Sequence, residues 1–94
     1  MVMSLRYLVL YTASADIAEK APVHYPAHRE RFLEFHRDGT CLGIGTFADP
    51  RAPNAMGIFT AREAAEAFVA GDPFVLEGAV AHHEIREWDD ALAG

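Results

Sequence analysis

The chain has 94 residues, of which 51% are hydrophobic and 23% charged, and its formal net charge is -6. That length holds one domain with a modest core, and the composition is that of a folded chain rather than a disordered one. The acidic excess argues against a nucleic-acid partner, which needs clustered Lys and Arg.

The single cysteine, Cys41, rules out an internal disulfide. No apolar run approaches the roughly 18 residues of a membrane helix, and no signal-peptide pattern opens the chain. The expectation is a cytoplasmic protein without a membrane partner, with residues 1–94 forming one domain.

Met1 to Ser4 reads as a frayed start. Arg6 to Thr12 predicts a first strand, rich in aromatic and β-favouring residues. Both of its faces, Tyr7/Val9/Tyr11 and Leu8/Leu10, are apolar, and such a strand expects cover on both sides. Ala13 to Ala21 reads as a polar connection. A helix then starts between Pro22 and Pro26, either proline suiting a first turn, and runs to Asp38 with Gly39 as its stop. His28, Phe32 and Phe35 fall at i, i+4 and i+7, so His28 heads the buried stripe.

Thr40 to Phe47 predicts a second strand, with Leu42 and Ile44 on one face and Cys41, Gly43 and Gly45 on the other. Alternate glycines in a strand often mark the close approach of a ligand or another backbone. Ala48 to Asn54 is a turn-rich loop and Ala55 to Thr60 a third strand. Ala61 to Ala70 predicts a second helix, with Thr60 and Glu63 as a capping box.

Gly71 is expected to close that helix in the left-handed conformation, and Pro73 cannot continue it. Asp72, preceding a proline, is biased toward extended backbone. Phe74 to Gly78 reads as a short connection, Ala79 to Trp88 as the last strand, and Asp89 to Gly94 as an acidic tail.

The order β-α-β-β-α-β predicts an α+β, ferredoxin-like fold: a four-stranded antiparallel sheet with two helices on one face. Apolar residues remain on the other face, which predicts a sheet-mediated homodimer.

Four segments, Leu8 to Thr12, His28 to Gly39, Phe47 to Pro50, and Ala70 to Phe74 leading into Glu84 to Trp88, resemble the YCII-related (YciI-like) family of the dimeric α+β barrel superfamily. The resemblance covers almost the whole chain. It implies a ferredoxin-like protomer that dimerises through its sheets. It also implies an active site of a histidine on the first helix and an aspartate after the second, here His28 and Asp72. Dehydrochlorinase activity on chlorinated hydroquinones is known in the family. Members often carry an arginine three residues before the histidine; here that position is Tyr25.

As a pair, Asp72 would accept a hydrogen bond from one His28 nitrogen, fix the tautomer and leave the other nitrogen to move a proton. The structural alternative makes His28 a satisfied buried group and Asp72 a turn residue. Tyr25, Gly45, Phe47, Pro73 and Phe74 are the candidate substrate-binding residues. His24 and His28 have metal-chelating i, i+4 spacing, but a helix starting at Pro26 leaves His24 outside it, so no metal site is expected. Cys41 has no basic neighbour to activate it and reads as a packed thiol.

These residues point to a small enzyme acting on a small cyclic or aromatic molecule by proton abstraction, elimination or isomerisation, with no cofactor. A non-catalytic dimeric ligand-binding or accessory module, and a cofactor-free monooxygenase-like protein, are the alternatives.

Overall fold

The elements of the computed structural model run β1 (Leu5–Ala13), α1 (Ile17–Arg37), β2 (Cys41–Thr46), β3 (Ala55–Phe59), α2 (Arg62–Gly71), α3 (Pro73–Leu76) and β4 (Val80–Asp89). Residues 4–49 and 51–92 are described. The frayed start expected at Met1 to Met3, the end of the acidic tail at Ala93 and Gly94, and Pro50 of the loop lie outside them.

The sheet order is β2-β3-β1-β4, and every neighbouring pair is antiparallel. This is the expected α+β, ferredoxin-like arrangement. Strand β1 lies inside the sheet, which suits a strand apolar on both faces. Tyr7, Val9 and Tyr11 share a face with Phe59, Gly57 and Ala55 across the ladder to β3. Helices α1 and α2 cover that face, where Val9, Phe59 and Phe68 form a closed core with Phe32 and Phe35 packed against it. Phe59 and Phe68 are fully buried, each contributing about 1.5–3 kcal/mol of apolar burial.

The largest departure from the sequence expectation is the start of α1. Residues 17–21, read as connection, are helical, and both Pro22 and Pro26 lie inside the helix. Pro22 cannot donate to the Ala18 carbonyl, nor Pro26 to the Pro22 carbonyl. The two prolines are one turn apart, and Ala18, Pro22 and Pro26 are all exposed. The freed carbonyls therefore open to solvent, where water can satisfy them without breaking the helix.

Three local expectations are also corrected. Gly71 is the last residue of α2 and is not left-handed; positive φ occurs at Gly39 and Gly78. Gly39 is thus the left-handed stop of α1, as its sequence position predicts. Helix α2 is capped by Ala61 in extended conformation with no side-chain cap, so Thr60 lies one residue before the cap, its amide bonded to the Thr40 carbonyl at the end of the β2–β3 ladder. Finally, a register shift between Cys41 and Gly43 breaks strict alternation in β2. Cys41 and Ile44 both turn to the core, so Cys41 does not share a face with Gly43 and Gly45. The segment after Asp72, read as connection, is the single-turn α3.

Candidate active site

Asp72 ends α2 and starts α3, in extended backbone with φ -69° and ψ 121°. Its side chain accepts from the Phe74 amide at 3.1 Å, an N-cap bond that holds the carboxylate over the first turn of α3. Its exposure is 0%, so the carboxylate must be satisfied by protein donors. Two distant elements supply them. Strand β1 sends the Tyr11 hydroxyl, which donates to Oδ2 at 2.6 Å. Helix α1 sends His28, whose Nδ1 lies 2.7 Å from Oδ1. A carboxylate only accepts, so Nδ1 carries a proton, and in the neutral ring Nε2 is then the acceptor.

Aromatic rings fix the imidazole plane. Phe74 stacks on His28 with centroids 4.1 Å apart and planes 7° from parallel. Phe32 meets it edge-on from one turn along α1 at 5.3 Å. Nε2 has no hydrogen-bond partner among the described residues, and none of their side chains leaves a buried polar atom unpaired. Nε2 is therefore open to the space beside the ring.

That space is a cavity of about 340 Å³ between α1 and the sheet. Its roof is one stripe of α1, in which Ile17, Ala21, Tyr25, His28 and Phe32 follow at intervals of three or four residues. Its floor includes Val9, Gly57 and Ile44, paired across β1, β3 and β2. No Lys, Arg, Asp or Glu is among the described lining residues. The walls are mostly apolar, and His28 is the one imidazole among them.

Tyr25, Gly45 and Phe74 line this cavity together with His28. Pro73 does not; it supplies the first residue of α3 and sets the turn that carries Phe74. Phe47 lies in a separate surface depression with Asp49 and Arg51. His24 falls inside α1, contrary to the boundary expected from Pro26. Among the described residues, however, no group of three or more His, Cys, Asp or Glu side chains converges. Burial pushes the Cys41 thiol up, so it stays protonated near neutral pH, as befits a packed thiol.

Sequence reasoning missed Tyr11, which it assigned to core or interface, and the residues Ile17 and Ala21. Burial first, then the Asp72 hydrogen bond, pushes the Tyr11 phenol well above the ordinary tyrosine value, so it remains a donor. Nothing local marks that role. The roof did have a signal: Ile17, Ala21 and Tyr25 are spaced by four, continuing the His28 stripe backwards through the prolines.

The profile of the YCII-related domain matches residues 5–89. The chain belongs to the YCII-related domain family. Among solved structures, the 5-chloro-2-hydroxyhydroquinone dehydrochlorinase of Burkholderia phenoliruptrix, in complex with 2,5-dihydroxybenzoquinone, matches with a TM-score of 0.72. The two are 16% identical over 88% of this chain and 92% of that one, a likeness of fold. Among curated proteins the YCII-related chain has no match. No helix among its described residues is long and apolar enough to cross a membrane.

Proposed function

We propose that this YCII-related protein is a small acid–base enzyme that carries out elimination or isomerisation on a small cyclic or aromatic molecule, with dehydrochlorinase-like chemistry as the specific case. The observation that carries the reading is the division of labour on one ring. Nδ1 of His28 is held by a fully buried carboxylate, while Nε2 is free beside an apolar cavity. In an elimination, Nε2 takes a proton from the substrate as the leaving anion departs. The imidazolium so formed is stabilised by Asp72, itself held by Tyr11 and the Phe74 amide. The solved dehydrochlorinase bound to a dihydroxybenzoquinone supports a hydroxylated six-membered ring as the substrate class.

The test is chloride release from 5-chloro-2-hydroxyhydroquinone by the wild type and by His28→Gln. Loss of the base is expected to lower the rate by about 10²–10⁴-fold, the usual contribution of general acid–base catalysis. Equal rates in the two proteins would overturn the proposal. Binding of 2,5-dihydroxybenzoquinone without turnover would favour a ligand-binding module. Dioxygen uptake with the quinol would favour an oxygenase.

The assembly we propose is a homodimer through the uncovered sheet face. Leu8 pairs with Ile58 and Leu10 with Met56 on that side, all only partly buried in the single chain. Analytical ultracentrifugation giving a monomer at micromolar concentration would rule this out.

A further inference from the structure

The carboxyl end of α2, which delivers Asp72, has no cation of its own in its last turn. Its final carbonyls lack intrahelical partners, as at any helix end. Arg31 of α1 reaches into this end: Nη2 donates to the Ala67 carbonyl at 2.6 Å and Nε to the Phe68 carbonyl at 3.2 Å. The same guanidinium lies over the rings of Phe35 and Phe68, 5.1 Å and 5.8 Å from their centroids. Arg31 follows His28 by three positions and so projects from the same side of α1. One side chain thus ties the helix that bears His28 to the end of the helix that presents Asp72.

Gly71 makes the seat for it. A Cβ there would stand 2.5 Å from Nη2, 2.6 Å from Cζ and 2.9 Å from Nη1 of Arg31. Gly71 has no positive φ, so what its position requires is the absence of a side chain rather than glycine's conformational freedom. The planar fork suits the site, because its Nε and Nη2 reach two successive carbonyls while its carbon stays near both rings.

We infer that Arg31, seated on Gly71, is a positioning residue that sets the His28–Asp72 hydrogen bond. The inference rests on the reading of that pair as the reactive centre. Proton transfer depends steeply on placement, and a displacement of about 1 Å can lower a rate by about 10²-fold. Arg31 does not line the cavity, so its influence passes through Asp72 and not through contact with the ligand.

The experiment compares wild type, Gly71→Ala, Arg31→Met and Arg31→Lys. It follows the His28 Nδ1–H resonance by NMR with ¹⁵N-labelled histidine, and kcat and KM for chloride release from 5-chloro-2-hydroxyhydroquinone. In Gly71→Ala the methyl meets the far end of a flexible side chain, so the guanidinium moves and the fold stays. That variant and Arg31→Met are expected to lose the hydrogen-bonded Nδ1–H signal to solvent exchange. Their kcat is expected to fall by up to about 10²-fold with KM nearly unchanged. Arg31→Lys recovers part of both.

A purely structural Arg31 would lower the melting temperature yet leave resonance and kcat in place, and that result overturns the inference. If Arg31→Met does not fold, Gly71→Ala decides alone. Absence of the Nδ1–H signal in the wild type would instead overturn the pair itself, and absence of chloride release would count against the proposed reaction while the NMR comparison still judges Arg31.

Discussion

Two aspartates in this chain each gather three hydrogen bonds, and they do so to different ends. Asp49, in the loop between β2 and β3, takes all three from Arg51, two residues away: the amide at 2.9 Å, Nε at 2.8 Å and Nη2 at 2.5 Å. Both side chains face solvent, with 48% and 86% exposure. The side-chain bonds from Arg51 hold the Asp49 carboxyl below its ordinary range, yet water competes for every contact. Asp72 takes its bonds from β1, from α1 and from its own turn, with no solvent exposure. A local, wet carboxylate braces a loop. A buried one with distant donors fixes elements relative to one another, and its charge acts undiluted on the ring it touches.

Removing the buried carboxylate should have the largest effect. Asp72→Ala strands the Tyr11 hydroxyl, His28 Nδ1 and the Phe74 amide together, and breaking a buried pair costs about 3–5 kcal/mol. Urea unfolding should show that loss as a lower midpoint at constant slope. A shift of only a few tenths of a kcal/mol would mean that Asp72 is no better anchored than Asp49.

Tyr11→Phe removes one donor and keeps the ring, so about 1.5–3 kcal/mol is expected for a hydrogen bond to a charged group. Its pH dependence gives a sharper result. The folded phenol titrates above its ordinary value, so the folded state keeps a proton that the unfolded chain releases near pH ~10. The stabilisation is fully present below that pH and is lost as pH rises from there toward the folded value. The wild type should therefore lead Tyr11→Phe by a constant margin at pH 7 to 9, and by a shrinking one above pH ~10. A margin independent of pH would show that the hydroxyl is not buried as a donor.

Asp49→Ala closes the series. Thermal melting should not separate it from the wild type, and a clear drop would mean that the loop supports the sheet.

The site was legible in proportion to how local its cause is. His28 stands on an amphipathic stripe, and Asp72 sits between a glycine and a proline; both features lie within a few residues. Tyr11 was not legible as part of the site, because a tyrosine alternating with Val9 in a strand is equally a core residue. Its bond to Asp72 spans 61 positions. Arg31 drew no role from its place in the sequence, because its guanidinium reaches carbonyls of α2 that lie 36 and 37 positions away.

The order of strands and helices, the stop at Gly39 and the extended Asp72 follow from the chain alone, because hydrophobic period, glycine φ and proline sterics act within a few residues. The start of α1 was decided by tertiary structure, which places Ile17 and Ala21 over the cavity in a helix that tolerates two prolines on its exposed side. The same holds for the bulge in β2, where Cys41 and Ile44 both enter the core, and for the convergence of Tyr11, His28 and Asp72. Burial makes those choices: it rewards contacts between residues far apart in sequence, and no local pattern records which of them will meet.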